Sequence, residues 1–202
     1  MNPSHPPTGQ PPGRWSLIAL RWRAKALLTL GMREPALAIF RQILALLPND
    51  VHSLNSLGYD ALQSGHPAQA LPYFERVAKL TPELSNAHFN LAFVSEELGQ
   101  LAQAETSFRS AIAIEDKMDR AWYGLGLVLV RLGRLEEALV ALKRNTKLQP
   151  MSPHAWYQMA RIHVDLKQPE EAVRLIRHLK GFEPKVAAQL ERETGLKAGR
   201  AV

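Results

Sequence analysis

The chain has 202 residues, of which 46% are hydrophobic and 22% are charged, so it can form one or two ordinary domains and is too apolar for global disorder. It contains no cysteine, which excludes disulfides, thiolate metal sites, covalent c-type haem and a catalytic cysteine. The net charge of +6 arises at the two ends, because residues 51–173 carry 12 basic and 14 acidic side chains, and this near-neutral body disfavours a nucleic-acid-binding fold.

The chain opens with residues 1–16, which are rich in proline, glycine and polar side chains, and we predict a flexible Pro-rich leader there. No basic residue precedes Arg14, unlike the start of a secretory signal peptide. The longest apolar run, Ala121 to Val130, has ten residues, about half of the ~20 that a membrane-spanning helix needs. The sequence therefore predicts a cytoplasmic protein without a transmembrane segment.

A period of about 34 residues, a length typical of repeat arrays, begins after the leader. Glycines, alanines and prolines each recur at one fixed position of the period, and the alanines are Ala36, Ala70, Ala104, Ala138 and Ala172. Five units fit this period, and their ranges are 17–50, 51–84, 85–118, 119–152 and 153–186. A unit of this length cannot bury its apolar face alone, so neighbouring units must stack on one another.

The sequence pattern of each unit predicts two helices joined by a turn. In the fourth unit, Trp122, Leu125 and Leu129 lie at helical spacing, and Gly133 ends this first helix. A second apolar stripe begins at Ala138 and closes at the unit's proline. Small residues at the eighth and twentieth positions of each unit let the paired helices approach closely, and a large residue at position 24 fills the space. The sequence therefore predicts an all-α fold of about ten helices, an α-solenoid.

The joint pattern of W/L-x2-L-G, A-x3-F and a closing proline resembles the tetratricopeptide repeat (TPR) family over residues 17–186. The resemblance implies a right-handed superhelix of helix-turn-helix units. After these units, residues 185–194 place Val186, Leu190 and the methyl group of Thr194 on one face, which predicts the polar capping helix that a solenoid needs. We assign residues 187–202 to the rest of this helix, which begins at about residue 185, and to a frayed tail from residue 196.

Four residues depart from the repeat pattern. Arg23 replaces an apolar residue, and we expect it to stay solvated because no preceding unit covers it. Lys167 replaces the turn glycine, which predicts a strained or looser turn. Pro72 lies inside a second helix and predicts a kink, and Asn145 takes a small apolar position, where it either finds a polar partner or marks a looser contact.

Enzyme motifs are absent from the sequence. The pair Gly124 and Gly126 lacks the third glycine of a dinucleotide loop and lies inside a predicted helix. There is no Walker-type lysine loop, no Gly-x-Ser-x-Gly and no His-Glu-x-x-His. We interpret Arg161, His163 and Asp165 as helix-surface residues rather than a catalytic cluster. The sequence therefore predicts a protein that is not an enzyme and has no catalytic residues, metal site or cofactor.

In the TPR family the first helix of each unit lines the concave surface, and its positions 2, 5, 6, 9, 12 and 13 commonly face the ligand. The resemblance therefore implies a partner-binding groove formed by Arg21, Lys25, Asn55, Tyr59, Asn86, Phe89, Asn90, Phe93, Arg120, Tyr123, Tyr157 and Arg161. Asparagine amides can hold a peptide backbone, and aromatic faces between them form pockets for apolar side chains. The alternative is that Phe89 and Phe93 belong to the core and that the asparagines are merely solvated.

Two hypotheses for the function follow, and a third is minor. The first is a non-catalytic adaptor, scaffold or assembly factor that binds a protein or peptide segment in its concave groove. The second is a self-associating scaffold that forms homo-oligomers through repeat stacking or leader-in-groove contacts. The minor, third hypothesis is that the two basic ends of the chain contact an acidic membrane or nucleic acid. Some TPR proteins hold the acidic tails of heat-shock chaperones in a two-carboxylate clamp, but only Asn90 and Arg120 match that clamp here.

Overall fold

The computed structural model describes residues 14–199, with side chains from residue 16 onwards. Residues 1–13 of the predicted leader and residues 200–202 of the predicted tail lie outside the described residues, whereas residues 14–16 belong to the first helix. Within 14–199 there are helices and no strands, as the sequence predicts. The helices are α1 (Arg14–Thr29), α2 (Arg33–Leu46), α3 (Val51–Gln63), α4 (Pro67–Leu80), α5 (Ser85–Glu97), α6 (Leu101–Ile114), α7 (Asp119–Arg131), α8 (Leu135–Leu148), α9 (Pro153–Asp165), α10 (Pro169–Lys180) and α11 (Pro184–Thr194).

The two helices of each of the five pairs, from α1–α2 to α9–α10, are joined by the same turn. Four of these turns contain a glycine with φ between 72° and 75°, namely Gly31, Gly65, Gly99 and Gly133. The glycine N–H is donated to the carbonyl three residues before it, and the next N–H to the carbonyl five residues before its own residue, which is the Schellman arrangement. Lys167 forms the fifth turn with the same bonds and φ 58°, so this turn keeps its geometry and is strained rather than loose.

The chain divides into two compact units, which we call unit 1 (ending at Pro82) and unit 2 (beginning at Glu83). In unit 1, Phe40 and Phe74 are fully buried between the paired helices. A Cβ atom on Gly58 would lie 2.8 Å from the Phe74 ring, which confirms that the small residue makes room for the large one. Pro72 lies inside α4, which continues to its end at Leu80. Arg23 is exposed, as predicted.

Unit 2 holds its core in the same way. Phe108, Leu125 and Leu142 are buried, and a Cβ atom on Gly126 would lie 2.7 Å from Leu142. Asn145 is also buried, and its Nδ2 atom donates a hydrogen bond to the carbonyl of Asp119 at 2.8 Å. This residue therefore finds a polar partner at the start of α7.

The last helix, α11, covers the end of unit 2. Its residues Ala187 and Leu190 are fully buried and pack with Ile176 and Leu179 of α10, as a capping helix requires. Residues 196–199 belong to the segment for which the sequence predicts fraying. Ala198 is buried, and its N–H is donated to the Glu191 carboxylate at 2.7 Å, because the chain turns back over α11 after Gly195.

Candidate functional site

The twelve predicted groove residues lie on the first helices of the pairs, four in unit 1 and eight in unit 2. Those in unit 1 are Arg21, Lys25, Asn55 and Tyr59. We call the surface they share the unit 1 face and its counterpart on α5, α7 and α9 the unit 2 face. The sequence does not distinguish which members of each group are exposed and which are already engaged.

Arg21 is engaged in holding the start of α3. Its guanidinium is hydrogen-bonded and ion-paired to Asp50, the residue that caps this helix. The Asp50 carboxylate also accepts bonds from the backbone N–H of Ser53 at 2.9 Å and from its hydroxyl at 2.7 Å. Burial opposes ionisation of Asp50, but the bonds from Ser53 and Arg21 outweigh it and keep the pKa of this carboxyl below its ordinary value. Arg21 therefore has a structural role that the repeat pattern does not indicate.

The unit 1 face contains an apolar groove of about 560 Å³. Its most exposed apolar residue is Trp22, of which 66% is accessible, and the Nζ atom of Lys25 lies 5.5 Å from the centre of that ring. Leu28 and the buried Phe40 also line it. Trp22 and Leu28 are absent from the predicted groove, although they occupy positions 6 and 12 of the first unit, which the family pattern assigns to the ligand side.

Asn55 and Tyr59 lie on α3 in the same unit. The Nδ2 atom of Asn55 donates to the carbonyl of Val51 at 3.1 Å, within its own helix, whereas its buried Oδ1 atom has no hydrogen-bond partner among the described residues. Tyr59 is exposed, and its ring meets that of Phe74 edge to face, with the ring centres 5.4 Å apart. Tyr59 thus presents one side of its ring to solvent while the other rests on the core.

The unit 2 face carries a cluster of two phenylalanines and an arginine. The rings of Phe89 and Phe93 are stacked with centres 6.5 Å apart, and Phe89 also meets the buried Phe108 at 5.9 Å. The guanidinium of Arg120 lies 4.5 Å above the Phe89 ring and donates a hydrogen bond to the Asn86 amide oxygen at 3.1 Å. Phe93 is 41% exposed, so the two phenylalanines differ: Phe89 joins the face to the core, and Phe93 is a surface residue.

Asn90 and Tyr123 are less accessible than the resemblance implies. Only 8% of Asn90 is exposed, although its neighbour Asn86 on the same helix is open to solvent. Tyr123 is half-buried, and burial raises the pKa of its hydroxyl, which a hydrogen bond with Gln158 partly offsets. Asn86 is therefore the asparagine of this face that a ligand reaches most directly.

A half-buried carboxylate lies beside Tyr123. Burial raises the pKa of Glu96, against the opposing charge of Arg131, and the neighbouring Glu97 adds to the rise. The Nη1 atom of Arg131 lies 3.9 Å from a Glu96 carboxylate oxygen and donates to the Glu96 carbonyl at 2.9 Å. No sequence pattern singles out Glu96, because its burial depends on contacts between helices.

Tyr157 and Arg161 lie at the end of the unit 2 face beside the capping helix. The Tyr157 hydroxyl donates to the Glu193 carboxylate at 2.5 Å, and the Arg161 guanidinium is 5.9 Å from the Tyr157 ring centre. His163, by contrast, shares a hydrogen bond with Gln168 at 2.7 Å. Arg161 and His163 therefore contact different neighbours.

Two further features bear on the class of protein. Among residues 14–199, no group of three or more His, Cys, Asp or Glu side chains is arranged to hold a metal ion. None of the helices in that range is both long enough and apolar enough to cross a membrane. The predicted groove residues themselves are aromatic, amide and cationic side chains on α1, α3, α5, α7 and α9.

Two family models match the sequence. One, described as a tetratricopeptide repeat, matches residues 61–125. The other, described as subunit 3 of the anaphase-promoting complex, or cyclosome, matches residues 110–179. No curated protein matches the chain.

Solved structures share the fold. YrrB, described as a TPR protein with an unusual peptide-binding site, is 20% identical, with 87% of this chain and 92% of YrrB covered and a TM-score of 0.78. A crystal structure of MamA is 20% identical, with coverage of 93% and 98% and a TM-score of 0.76. MamA from Desulfovibrio magneticus RS-1 is 22% identical, with coverage of 88% and 96% and a TM-score of 0.74. The predicted all-α α-solenoid fold is confirmed, and the matching repeat model and solved TPR structure support the resemblance of this chain to the tetratricopeptide repeat family.

Proposed function

We propose that this protein is a non-catalytic interaction module that binds a peptide segment of a partner protein on its unit 2 face. The observation that carries the proposal is the exposed ring of Phe93, stacked on Phe89 and flanked by the guanidinium of Arg120. An aromatic ring with one open face and a rigid support is the kind of anchor on which interface binding energy concentrates. The peptide-binding site named for YrrB supports the same use of this fold.

The residues around Phe93 suggest what the segment offers. An apolar side chain would cover the Phe93 ring, and the exposed Asn86 amide would bond to the peptide backbone beside it. Arg120 is held in place by the Phe89 ring and the Asn86 oxygen and makes no ion pair within residues 14–199, so its charge is available to a carboxylate. A segment with an apolar residue next to an acidic one therefore fits this face best.

Selection from a phage-displayed library of random peptides tests the proposal. Peptides enriched on the intact protein are expected to lose affinity by about 5- to 150-fold with Phe93→Ala, since interface anchors contribute ~1–3 kcal/mol. Glu136→Ala changes an exposed residue on α8 and is the control, which should bind as wild type. The proposal fails if no peptide is enriched, or if the enriched peptides bind Phe93→Ala as tightly as wild type.

Self-association is a second candidate, and the exposed apolar residues around α1 favour it. Trp22, Leu30 and Met32 are all exposed near the start of the described chain. Sedimentation velocity over a range of protein concentrations would show oligomers, and Trp22→Ser combined with Leu30→Ser would abolish them. A protein that stays monomeric up to ~100 μM, well above typical transient affinities, would contradict this candidate. The roles of adaptor, scaffold or assembly factor and the cytoplasmic location stay predictions.

A further inference from the structure

In unit 2, α6 and α8 are the second helices of two neighbouring helix pairs. Four charged residues join them on their outer side, and we call this group the second-helix bridge: Glu105, Arg109, Arg134 and Glu137. Arg134 bonds to Glu105 at 2.7 Å and to Glu137 at 2.6 Å. Arg109 contacts the same two carboxylates at 2.9 and 3.3 Å. The bridge therefore spans the space between the two helices with alternating charges.

The same positions one repeat later cannot form this bridge. Leu139 takes the repeat position of Glu105, and Gln168 takes that of Arg134, so an acid and a base are both lost. The Gln168 side chain hydrogen-bonds to His163 instead. Glu171, which takes the position of Glu137, pairs with Arg174 of its own helix at 3.0 Å.

An open groove of about 600 Å³ lies where the bridge is missing, between α8, α9 and α10. We call it the outer groove. Its floor is apolar and consists of Leu139, Val140, Trp156, Met159 and Leu175. The Trp156 indole is fixed by a hydrogen bond to the carbonyl of Pro150 at 2.9 Å, and Val140 is 68% exposed. A rigid floor with an exposed aliphatic residue is suited to contact with another apolar surface.

The rim of the outer groove is cationic. Lys143 and Lys147 lie one helical turn apart on α8, are exposed, and make no ion pair within the described residues. Arg174 lies on the opposite helix, and its partner Glu171 is the single acidic residue among the described residues that line the groove. The groove thus combines an apolar floor with unneutralised positive charge on the α8 side.

We propose that the outer groove binds an amphipathic helix of a partner protein, whose apolar stripe covers Val140 and whose flanking carboxylates pair with Lys143 and Lys147. Helix-in-groove binding uses this combination of apolar anchors and rim charges. A second copy of this chain fits poorly, because the described helix with the most exposed apolar residues, α1, flanks them with Arg23 and Lys25 and would bring like charges together. This site is separate from the unit 2 face and does not depend on it.

Two designed peptides of equal length test the proposal. Each is an 18-residue amphipathic helix with a leucine stripe, flanked by glutamates in one and by lysines in the other. Binding is followed by titration into the full-length ¹⁵N-labelled protein. The glutamate peptide is expected to shift the amide resonances of α8 and α10, and the lysine peptide to bind at least tenfold more weakly. A scrambled glutamate peptide has the same composition without the leucine stripe, and it measures the binding that does not depend on this stripe.

Matched variants separate this site from its neighbours. Val140→Glu should weaken the glutamate peptide at least tenfold, and the pair Lys143→Glu with Lys147→Glu should reverse the preference between the two peptides. Thr106→Glu is the control, because Thr106 occupies the same repeat position on α6 beside the intact bridge. Phe93→Ala should also bind the glutamate peptide as wild type, so failure of the proposed function would leave this result unchanged.

Several outcomes would overturn the proposal. They are equal binding of both peptides, binding of the scrambled peptide as tight as the ordered one, or shifts that map away from α8 and α10. Self-association of the protein alone that disappears in Val140→Glu would assign the groove to a second copy instead. Since Val140 is largely exposed, its replacement should leave the thermal melt unchanged, and this is checked by circular dichroism.

Discussion

Tyr157 on α9 and Glu193 on the capping helix α11 are joined by a hydrogen bond of 2.5 Å, although they lie 36 residues apart. On the unit 2 face, Arg120 and Asn86 are joined in the same way between α7 and α5. The capping helix thus contacts the first helix of the last pair much as the first helix of a further pair would. Its contribution is both apolar, through Leu190, and polar, through Glu193.

Removal of this cap is the first prediction. Deleting residues 185–202 should lower the melting temperature and increase aggregation, because Ile176 and Leu179 would lose the cover of Leu190. The single change Leu190→Ala should cost about 2–5 kcal/mol, the usual range for a fully buried leucine. Calorimetry and light scattering measure both effects. Unchanged melting and solubility of the deletion variant would mean that α11 is not a cap.

The turn at Lys167 is the second prediction. Lys167 has φ 58°, where the other four turns have glycine, and a side chain in this conformation costs about 1 kcal/mol. Lys167→Gly is therefore expected to raise the free energy of unfolding by roughly that amount, measured by urea denaturation. Gly133→Ala is the reverse control and should lower it, although a Cβ atom there meets no neighbour within 4 Å. A less stable Lys167→Gly variant would show that the lysine side chain contributes more than its strain costs.

Glu96 provides a prediction of pH dependence. Burial raises its pKa in the folded protein, so the folded state holds this proton to a higher pH than the unfolded chain does. The free energy of unfolding should therefore fall as pH rises from the unfolded pKa, ~4.3, to the raised folded value. Glu96→Gln removes this pH-dependent fall in the free energy of unfolding, so the variant is expected to melt at a higher temperature than wild type at pH 7.

Thermal melts at pH 4 and pH 7 check this expectation. At pH 4 the Glu96→Gln variant and the wild type should differ little, because most of the wild-type carboxyl is then protonated in the folded state. Glu97→Gln alters the exposed neighbour on the same helix and should produce a smaller change at pH 7. Destabilisation of Glu96→Gln at pH 7 would indicate that the attraction to Arg131 exceeds the cost of burial.

The fourth prediction concerns the second-helix bridge. Arg134→Gln removes contacts with both Glu105 and Glu137 and should lower the free energy of unfolding by more than the loss of one isolated exposed ion pair does. Because salt screens exposed charges, the difference from wild type should shrink in 1 M NaCl. Arg41→Gln breaks an isolated pair with Glu34 at 3.8 Å and is the control, with an effect near zero. Equal effects of the two substitutions in urea titrations would argue against a network.

The period of the sequence predicts the helix pairs well, because a turn glycine such as Gly133 and a tight contact such as that of Gly126 with Leu142 are local requirements that recur from unit to unit. The site is predicted less completely. Phe89 and Phe93 lie one turn apart and look alike in sequence, yet only Phe89 reaches Phe108 of the neighbouring helix. Exposure of this kind depends on how helices pack.

Other differences between the predicted and the observed residues also arise from contacts between helices. The repeat pattern predicts that Arg21 faces a ligand, but the carboxylate that engages it, Asp50, lies 29 residues away and is brought close only by the fold. The burial of Ala198 likewise depends on Glu191 and Lys180, which the repeat pattern does not include. The sequence shows that Leu139 replaces Glu105 at the repeat position that borders the outer groove. It does not show that the side chains of Gln168 and Glu171 bond to His163 and Arg174, which leaves the groove uncovered.

The way in which α11 contacts α9 and α10 has a consequence for how such a chain can change in length. Since α11 occupies the place of half a repeat, a duplicated repeat inserted between α10 and α11 would meet a compatible surface on each side. Helix α11 would then pack on the inserted repeat without alteration of its own residues. The apolar surfaces that α10 and α11 share are therefore ones that an in-frame duplicated repeat would reproduce.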